Sequence, residues 1–245
     1  MKDGVALNSV ELKALRLKLG ATVKDFSSLA DVSVDPRTIR YWEANERTIP
    51  LGISPVIKSF VTEYKQSFKP ILTQDVMVWG YEKGEPPILP SFSEFEDFKT
   101  ATGCDSLDIW RMWQQAVASL FLEGLVESLT SDCIIPAEFV IWKVLSGEQT
   151  LKQAAQDDAN KRLKIWYVHQ VPSQPYEQFV DNISEARLAL NSIYNLMLNL
   201  SDNRIIPDYS NAGGLNIYAD ADGTGKRDWY EWEDFEARDI NDSDD

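Results

Sequence analysis

The sequence predicts a mainly α protein: an N-terminal bundle of short helices, a helical central region, and an acidic, partly irregular C-terminal part. Three observations carry this. Apolar residues recur three and four apart over most of the chain. Residues that start helices stand in front of several of these runs. From Asp202 the composition turns to Gly, Asn and Asp, and Asp239 to Asp245 is almost wholly polar or acidic, the signature of a partly disordered end.

In order, Val10, Leu12, Leu15 and Leu19 give a first helix its apolar positions, with Ser9 as cap and Gly20 as stop. Thr22 caps a second helix that buries Phe26, Leu29 and Ala30. Asp35-Pro36 opens a third, an N-cap followed by proline at the first helical position. After Pro50 a fourth carries Val56, Ile57, Phe60, Val61 and Tyr64 towards Lys69-Pro70. Glu85 to Pro90 is proline-rich and reads as a semi-rigid connector. A long helix over about 106–129 follows, with Trp110, Trp113, Val117, Leu120, Phe121 and Gly124 on one side. Two more helices are expected over about 148–167 and 177–200. The expected division is 1–70, 71–130, 131–201 and 202–245.

Nothing in the sequence approaches a membrane span, and Met1 to Leu7 has no apolar signal region, so the expected location is cytoplasmic with no membrane partner. Cys104, Cys133 and the lone His169 have no metal-type spacing, which argues against a zinc site or a disulfide framework. The net charge of −15 is unevenly spread. Residues 1–70 hold 11 Lys and Arg against 8 Asp and Glu, whereas residues 71–245 hold 13 against 31. Attraction to a polyanion depends on the local surface, because charges more than about 10 Å away are screened in ordinary salt. The first segment can face phosphates; the remainder would be repelled.

On a helical wheel, Ile39 and Trp42 of the third helix point one way, and Arg37, Arg40, Tyr41 and Ala44 the other. A helix lying in the major groove has use for such a split, since its back docks on a scaffold while its front reaches base edges. Arg37 matches guanine O6 and N7, and Tyr41 a thymine methyl or a phosphate. Thr22, Lys24, Arg40, Arg47 and Thr48 suit phosphate contacts, and Thr38 completes the set. A helical bundle with no DNA role would bury the same positions; the outward arginines and Tyr41 favour double-stranded DNA.

The stretch from Thr22 to Pro50 resembles the Xre/lambda-repressor helix-turn-helix family. In that family the third helix ends in an aromatic or aliphatic residue followed by Glu, as Trp42-Glu43 does here, and the resemblance implies that Glu43 pairs with Arg16. Asn45-Glu46-Arg47 departs from the family's usual Asn-Gly-Lys, and the turn Asp31 to Asp35 departs from the family in its length. Glu11 to Arg16, Ile39 to Glu43, Ile49-Pro50, Phe92 to Phe95 and Trp110 to Gly124 are together similar to YdiL-type and anti-CRISPR-associated regulators, over about residues 8–130. That resemblance implies a dimerisation segment containing Trp110, Trp113, Val117, Leu120 and Phe121, and a dimer that represses its own operon. From pattern alone, this stripe serves equally as intramolecular core.

Two features stand outside this reading. Asp220 to Glu231 is similar to a twelve-residue EF-hand loop, with oxygen ligands at Asp220, Asp222, Thr224, Asp228 and Glu231, Gly225 at position six and the Lys226 carbonyl at position seven. It would hold Ca2+ and continue into a helix over 229–235. A hairpin turned at Asp222 to Gly225 explains the same residues without metal. The acidic residues 202–245, with 4 Lys and Arg against 13 Asp and Glu, form either a solubilising tail or one that competes with phosphates for the basic helix. No nucleophile motif or phosphate-cradling glycine loop is present. The expectation is a dimeric, DNA-binding transcriptional repressor. The rival is an antitoxin or adaptor that meets a protein partner through residues 131–245, and an enzyme with an unseen site comes third.

Overall fold

The computed structural model describes residues 7–28, 34–131, 133–169, 174–206, 212–234 and 238–241. Leu29, Ala30, most of the turn expected after them, Phe235 and the end of the acidic tail lie outside these residues. The chain forms two compact units, each built from two segments. The first comprises Met1–Lys69 and Ile88–Ala155, the second Pro70–Pro87 and Gln156–Asp245.

In the first unit, helices α1 (Ser9–Lys18), α2 (Val23–Phe26), α3 (Pro36–Glu43) and α4 (Ile53–Glu63) follow one another. The cap of α1 is Asn8 rather than the expected Ser9; its side chain accepts from the Glu11 amide while Glu11 reaches back to the Asn8 amide. Leu12 and Leu19 are buried, but Val10 is 75 % exposed, a correction to its expected place in the core. Helix α4 does not end at Lys69-Pro70. A π turn, Tyr64–Phe68, leads directly into α5 (Lys69–Lys83). Pro70 brings no N–H and needs room for its ring one turn back, and the widened turn accommodates both.

Strand β1 (Ile88–Pro90) pairs in parallel with β2 (Ser128–Thr130), bracketing α6 (Phe95–Thr102) and α7 (Leu107–Leu122). Helix α7 stops short of the expected Leu129. Gly124 takes φ +73° and Leu125 donates its amide to the Leu120 carbonyl, a left-handed helix end that frees residues 128–130 for the strand. Short helices α8 (Val140–Leu145) and α9 (Leu151–Gln156) follow.

The second unit corrects the expectation of an irregular C-terminal part. Strands β3 (Leu163–Val168), β4 (Tyr176–Phe179), β5 (Ala212–Ala219) and β6 (Asp228–Glu231) form an antiparallel sheet in the order β4-β3-β5-β6. The helix expected over 148–167 is the short α9 followed by β3. The one expected over 177–200 is β4 followed by α10 (Ile183–Asp202). On β3, Leu163, Ile165 and Tyr167 are buried while Lys164, Trp166 and Val168 are half-buried, the two-residue alternation of a one-sided strand. One sheet face packs Leu163, Ile165, Leu215, Ile217 and Ala219 against Met77 and Val78 of α5 and Ala186 and Leu190 of α10. A buried Arg162–Asp75 ion pair and an Arg162 amide bond to Gln74 Oε1 (2.8 Å) fix α5 to the start of β3.

Candidate nucleic-acid interface

Helix α3 begins as its sequence requires: the Asp35 carboxylate accepts from the Arg37 amide at 2.7 Å and Pro36 occupies the first turn. Helices α1 and α2 pack against it. Ile39 and Trp42 are 0 % and 4 % exposed, whereas Arg37, Arg40 and Tyr41 lie at the surface and Thr38 is half-buried. The back of the helix is fixed by Glu43, which takes a fork from Arg16: Nε to Oε1 at 2.6 Å and Nη2 to Oε2 at 3.0 Å. Arg16 also donates to the Ala21 carbonyl. The hydrogen bond that Arg16 donates to Glu43 raises the Arg16 pKa above its ordinary value against the opposing effect of burial.

Past α3 the chain turns through Asn45 at φ +61°, a conformation that asparagine tolerates better than most residues. The amides of Glu46 and Arg47 then both donate to the Tyr41 carbonyl. This return lays the Arg47 guanidinium over the Tyr41 ring, 4.5 Å from its centroid. Tyr41 and Arg47 thus form one exposed aromatic–cationic element beside Arg37 and Arg40. Thr48 and Lys24 are also exposed. Thr22 is committed to its helix: its hydroxyl donates to Asp25 Oδ2 at 2.6 Å and accepts from the Asp25 amide at 3.2 Å. Its amide likewise donates to Asp25 Oδ2 at 3.0 Å, and its carbonyl accepts from the Phe26 amide at 2.9 Å.

One anchor of this module was not foreseen. Asp25 of α2 forms an ion pair with Arg111 of α7, whose guanidinium lies 4.1 Å from the Trp110 ring centroid and donates to Gln114 Oε1 at 2.6 Å. Gly20, at φ +62°, stands so near α7 that a Cβ there would meet Gln115 Nε2 at 2.4 Å. The available signal was a charged residue within the Trp110–Trp113 stripe, an arginine that burial tolerates only when paired.

The stripe expected to join two chains is used inside one. Trp110, Trp113, Val117 and Leu120 are each 5 % exposed or less, and the two indoles donate to the carbonyls of Phe92 (3.2 Å) and Pro90 (2.9 Å). Phe121, at 45 % exposed, is the member of the five left at the surface, next to Leu122.

The residues of the expected calcium loop lie on a β-hairpin. Asp228 to Glu231 is strand β6, in register with Ala219 to Asn216 of β5, where a helix over 229–235 was expected. Asp222 Oδ1 accepts from the Thr224 amide (3.3 Å) and hydroxyl (2.9 Å), and Asp220 Oδ2 from the Gly225 amide (2.8 Å). The Thr224 bonds hold the Asp222 carboxyl below the usual carboxylate range. Asp228 accepts from the Trp229 amide, and Lys226 is exposed. Among the described residues no group of three or more His, Cys, Asp or Glu is placed to hold a metal ion.

Two family models match the chain. One, described as Aca2/YdiL-like, covers residues 7–129. The other, described as superinfection exclusion gene product 17, covers residues 162–245. A curated relative, the superinfection exclusion protein of Salmonella phage P22, is 32 % identical over 57 residues, 23 % of this chain and 55 % of that protein. The match therefore spans about half the length of that relative. Among the described residues no helix is long and apolar enough to cross a membrane.

Proposed function

The chain belongs to the Aca2/YdiL-like family, and on that premise we propose that it is a sequence-specific double-stranded DNA-binding regulator, acting as a dimer that represses its own promoter. Family membership is consistent with a regulatory or protein-interaction role; the finer reading rests on α3. The single observation carrying it is the division of that helix. Ile39 and Trp42 are buried on α1 and α2, Glu43 is locked to Arg16, and Arg37, Arg40 and Tyr41 are left exposed on the opposite side. Rigid support behind an exposed basic and aromatic front is what major-groove reading by a helix-turn-helix of lambda-repressor type requires.

In this reading Arg37, near the N-terminus of α3, forks onto a guanine. Arg40, Lys24, Arg47 and Thr48 hold the flanking phosphates, with Tyr41 kept in place by the stacked Arg47. Two such helices one DNA turn apart, about 34 Å, occupy a two-fold operator and block polymerase. Gel retardation with the upstream region of its own gene tests this. Arg37→Ala should cost about 1–3 kcal/mol and relax preference at one base pair, while Arg47→Ala should weaken all sequences alike and flatten the salt dependence. Unchanged affinity in Arg37→Ala would remove α3 from the readout.

A second reading is favoured by the match over residues 162–245: the second unit meets a protein partner and contributes to exclusion of an incoming phage. Plating a challenge phage on cells that express Arg37→Ala separates the two, since exclusion retained without DNA binding assigns that activity to the second unit.

A further inference from the structure

The chain leaves the bundle α1–α4 once, through the π turn Tyr64–Phe68, which packs on α7. One such connection is a pivot, because a helix bends most readily at a widened turn and a bend there swings the bundle without unfolding it. Two attachments fix an angle. The second is made where the end of α1 and the start of α2 meet α7. Gly20 stands against Gln115, and the carboxylate of Asp25 against the guanidinium of Arg111.

Both members of the ion pair are held in place by their own neighbours. The Arg111 guanidinium lies 4.1 Å from the Trp110 ring centroid, and Nη1 donates to Gln114 Oε1 at 2.6 Å. Trp110 and Gln114 in turn both donate to the Phe92 carbonyl, at 3.2 and 2.8 Å, so the arginine is set by a frame that owes nothing to α2. On the other side, Asp25 Oδ2 accepts from the Thr22 amide at 3.0 Å and the Thr22 hydroxyl at 2.6 Å. The two side chains are 10 % and 19 % exposed, which leaves little water to screen them and makes each depend on the other. Asp25 belongs to α2, which packs on α3, whereas Arg37, Arg40 and Tyr41 stand on α3 itself. The pair therefore acts on where the reading helix is presented, not on the side chains that read.

A two-fold operator asks for two recognition helices about 34 Å apart, and an error of angle at each bundle becomes a displacement at the groove. We propose that the Asp25–Arg111 pair is a positioning element that sets half-site spacing: it fixes the angle at which each chain presents α3 and so the separation of half-sites that the protein accepts. This rests on the reading of the chain as a dimeric DNA-binding regulator and adds to it the residues that decide spacing.

Gel retardation with the full chain tests it on three duplexes: the operator footprinted in the upstream region of its own gene, the same operator with two base pairs inserted between its half-sites, and a single half-site. The insertion moves one half-site by about 7 Å and a fifth of a turn. The wild type is expected to lose about a hundredfold in affinity for the lengthened operator. Arg111→Met is expected to lose less than about tenfold on the same insertion, because a bundle free to pivot follows the displaced site. Asp25→Asn, which keeps the shape of the residue and an acceptor for Thr22, should behave likewise, and the double variant should match either single one. All should bind the single half-site as the wild type does, with circular dichroism as the check on folding. Variants that keep the wild-type penalty overturn the proposal, as does a wild type that accepts the insertion. A loss on the single half-site equal to that on the operator would place the effect inside the reading module and overturn it too. Each of these failures leaves the regulatory reading standing. A wild type that shifts none of the three duplexes fails that reading and the proposal together.

Discussion

The Arg16–Glu43 fork is the residue-scale contact on which the orientation of α3 depends. Both side chains are about a tenth exposed, 11 % and 10 %, and the guanidinium is further satisfied by the Ala21 carbonyl. Removing one member leaves the other charged and poorly solvated, at a cost of about 3 kcal/mol. Glu43→Gln and Arg16→Ala should therefore each lower the urea midpoint of the first unit, while the double variant should cost less than the sum of the two. Additive losses would show that the pair is not coupled. Tyr64, at the start of the π turn, offers a pH-dependent test. Burial, assisted by the negative Glu123, raises its pKa from 10.0 to about 12. The folded state then holds a proton that the unfolded chain releases first. The stability Tyr64 contributes is complete below pH 10, falls between pH 10 and about 12, and is gone above. Tyr64→Phe should flatten this part of the alkaline unfolding curve relative to wild type. A curve of unchanged slope would mean that Tyr64 titrates normally in the fold.

At the scale of elements, α7 shows how one pattern serves two architectures. A stripe of Trp110, Trp113, Val117 and Leu120 is compatible with an interface or a core, because hydrophobic periodicity reports which face is covered and not by what. The indole hydrogen bonds to Phe92 and Pro90 decide the matter for these side chains. Trp113→Ala should accordingly cost about 3–5 kcal/mol of folding stability at any protein concentration, measured by denaturant titration at two concentrations. A loss that grows on dilution would return the stripe to a role between chains. Strand β3 marks the opposite case. Leu163 to Val168 alternates with period two and is rich in β-branched and aromatic residues, so its strand was legible in the sequence. Reading it as the end of a longer helix gave weight to Leu151, Ala155, Leu163 and Trp166 at helical spacing, yet Leu163 and Trp166, three apart, fall on opposite faces of the strand. The hairpin β5–β6 was legible as one of two alternatives. Its Asp and Gly residues are those of a tight turn and of a calcium loop alike, and it is the register of Ala219 with Asp228 that separates them.

At the scale of the whole molecule, the two units are interleaved along the chain: residues 70–87 leave the first, complete the second, and return at Ile88. Met77, Val78, Gln74 and Asp75 are buried in the second unit, on partners that come from residues beyond 160. A fragment ending at residue 155 would keep α5 but lose the sheet and α10 that cover Met77 and Val78 and the arginine that pairs with Asp75. Such a fragment should bind a hydrophobic dye and aggregate at concentrations where the full chain remains dispersed, as light scattering would show. A well-behaved fragment would indicate that α5 is covered without the sheet. Of the expected Glu85–Pro90 connector, Ile88–Pro90 is strand β1, and a chain that crosses between the units three times cannot be divided at one point.

The sequence by itself determined the caps of α2 and α3, the burial of Ile39 and Trp42, the exposure of Arg37, Arg40 and Tyr41, and the charge contrast between the first 70 residues and the rest. These follow from local spacing, which the backbone period of a helix converts directly into faces. It also contained the Arg16–Glu43 pair, through resemblance rather than spacing. The tertiary structure alone decided that Asp25 would meet Arg111, 86 residues away, that Arg47 would lie over Tyr41, and that Asp75 and Arg162 would form a buried pair. It alone decided that the C-terminal part is a sheet packed on two helices. Contacts between distant segments depend on which apolar faces find each other when the chain closes on itself. Each face has several partners of equal hydrophobicity in the sequence, and only close packing and the pairing of buried charges select one.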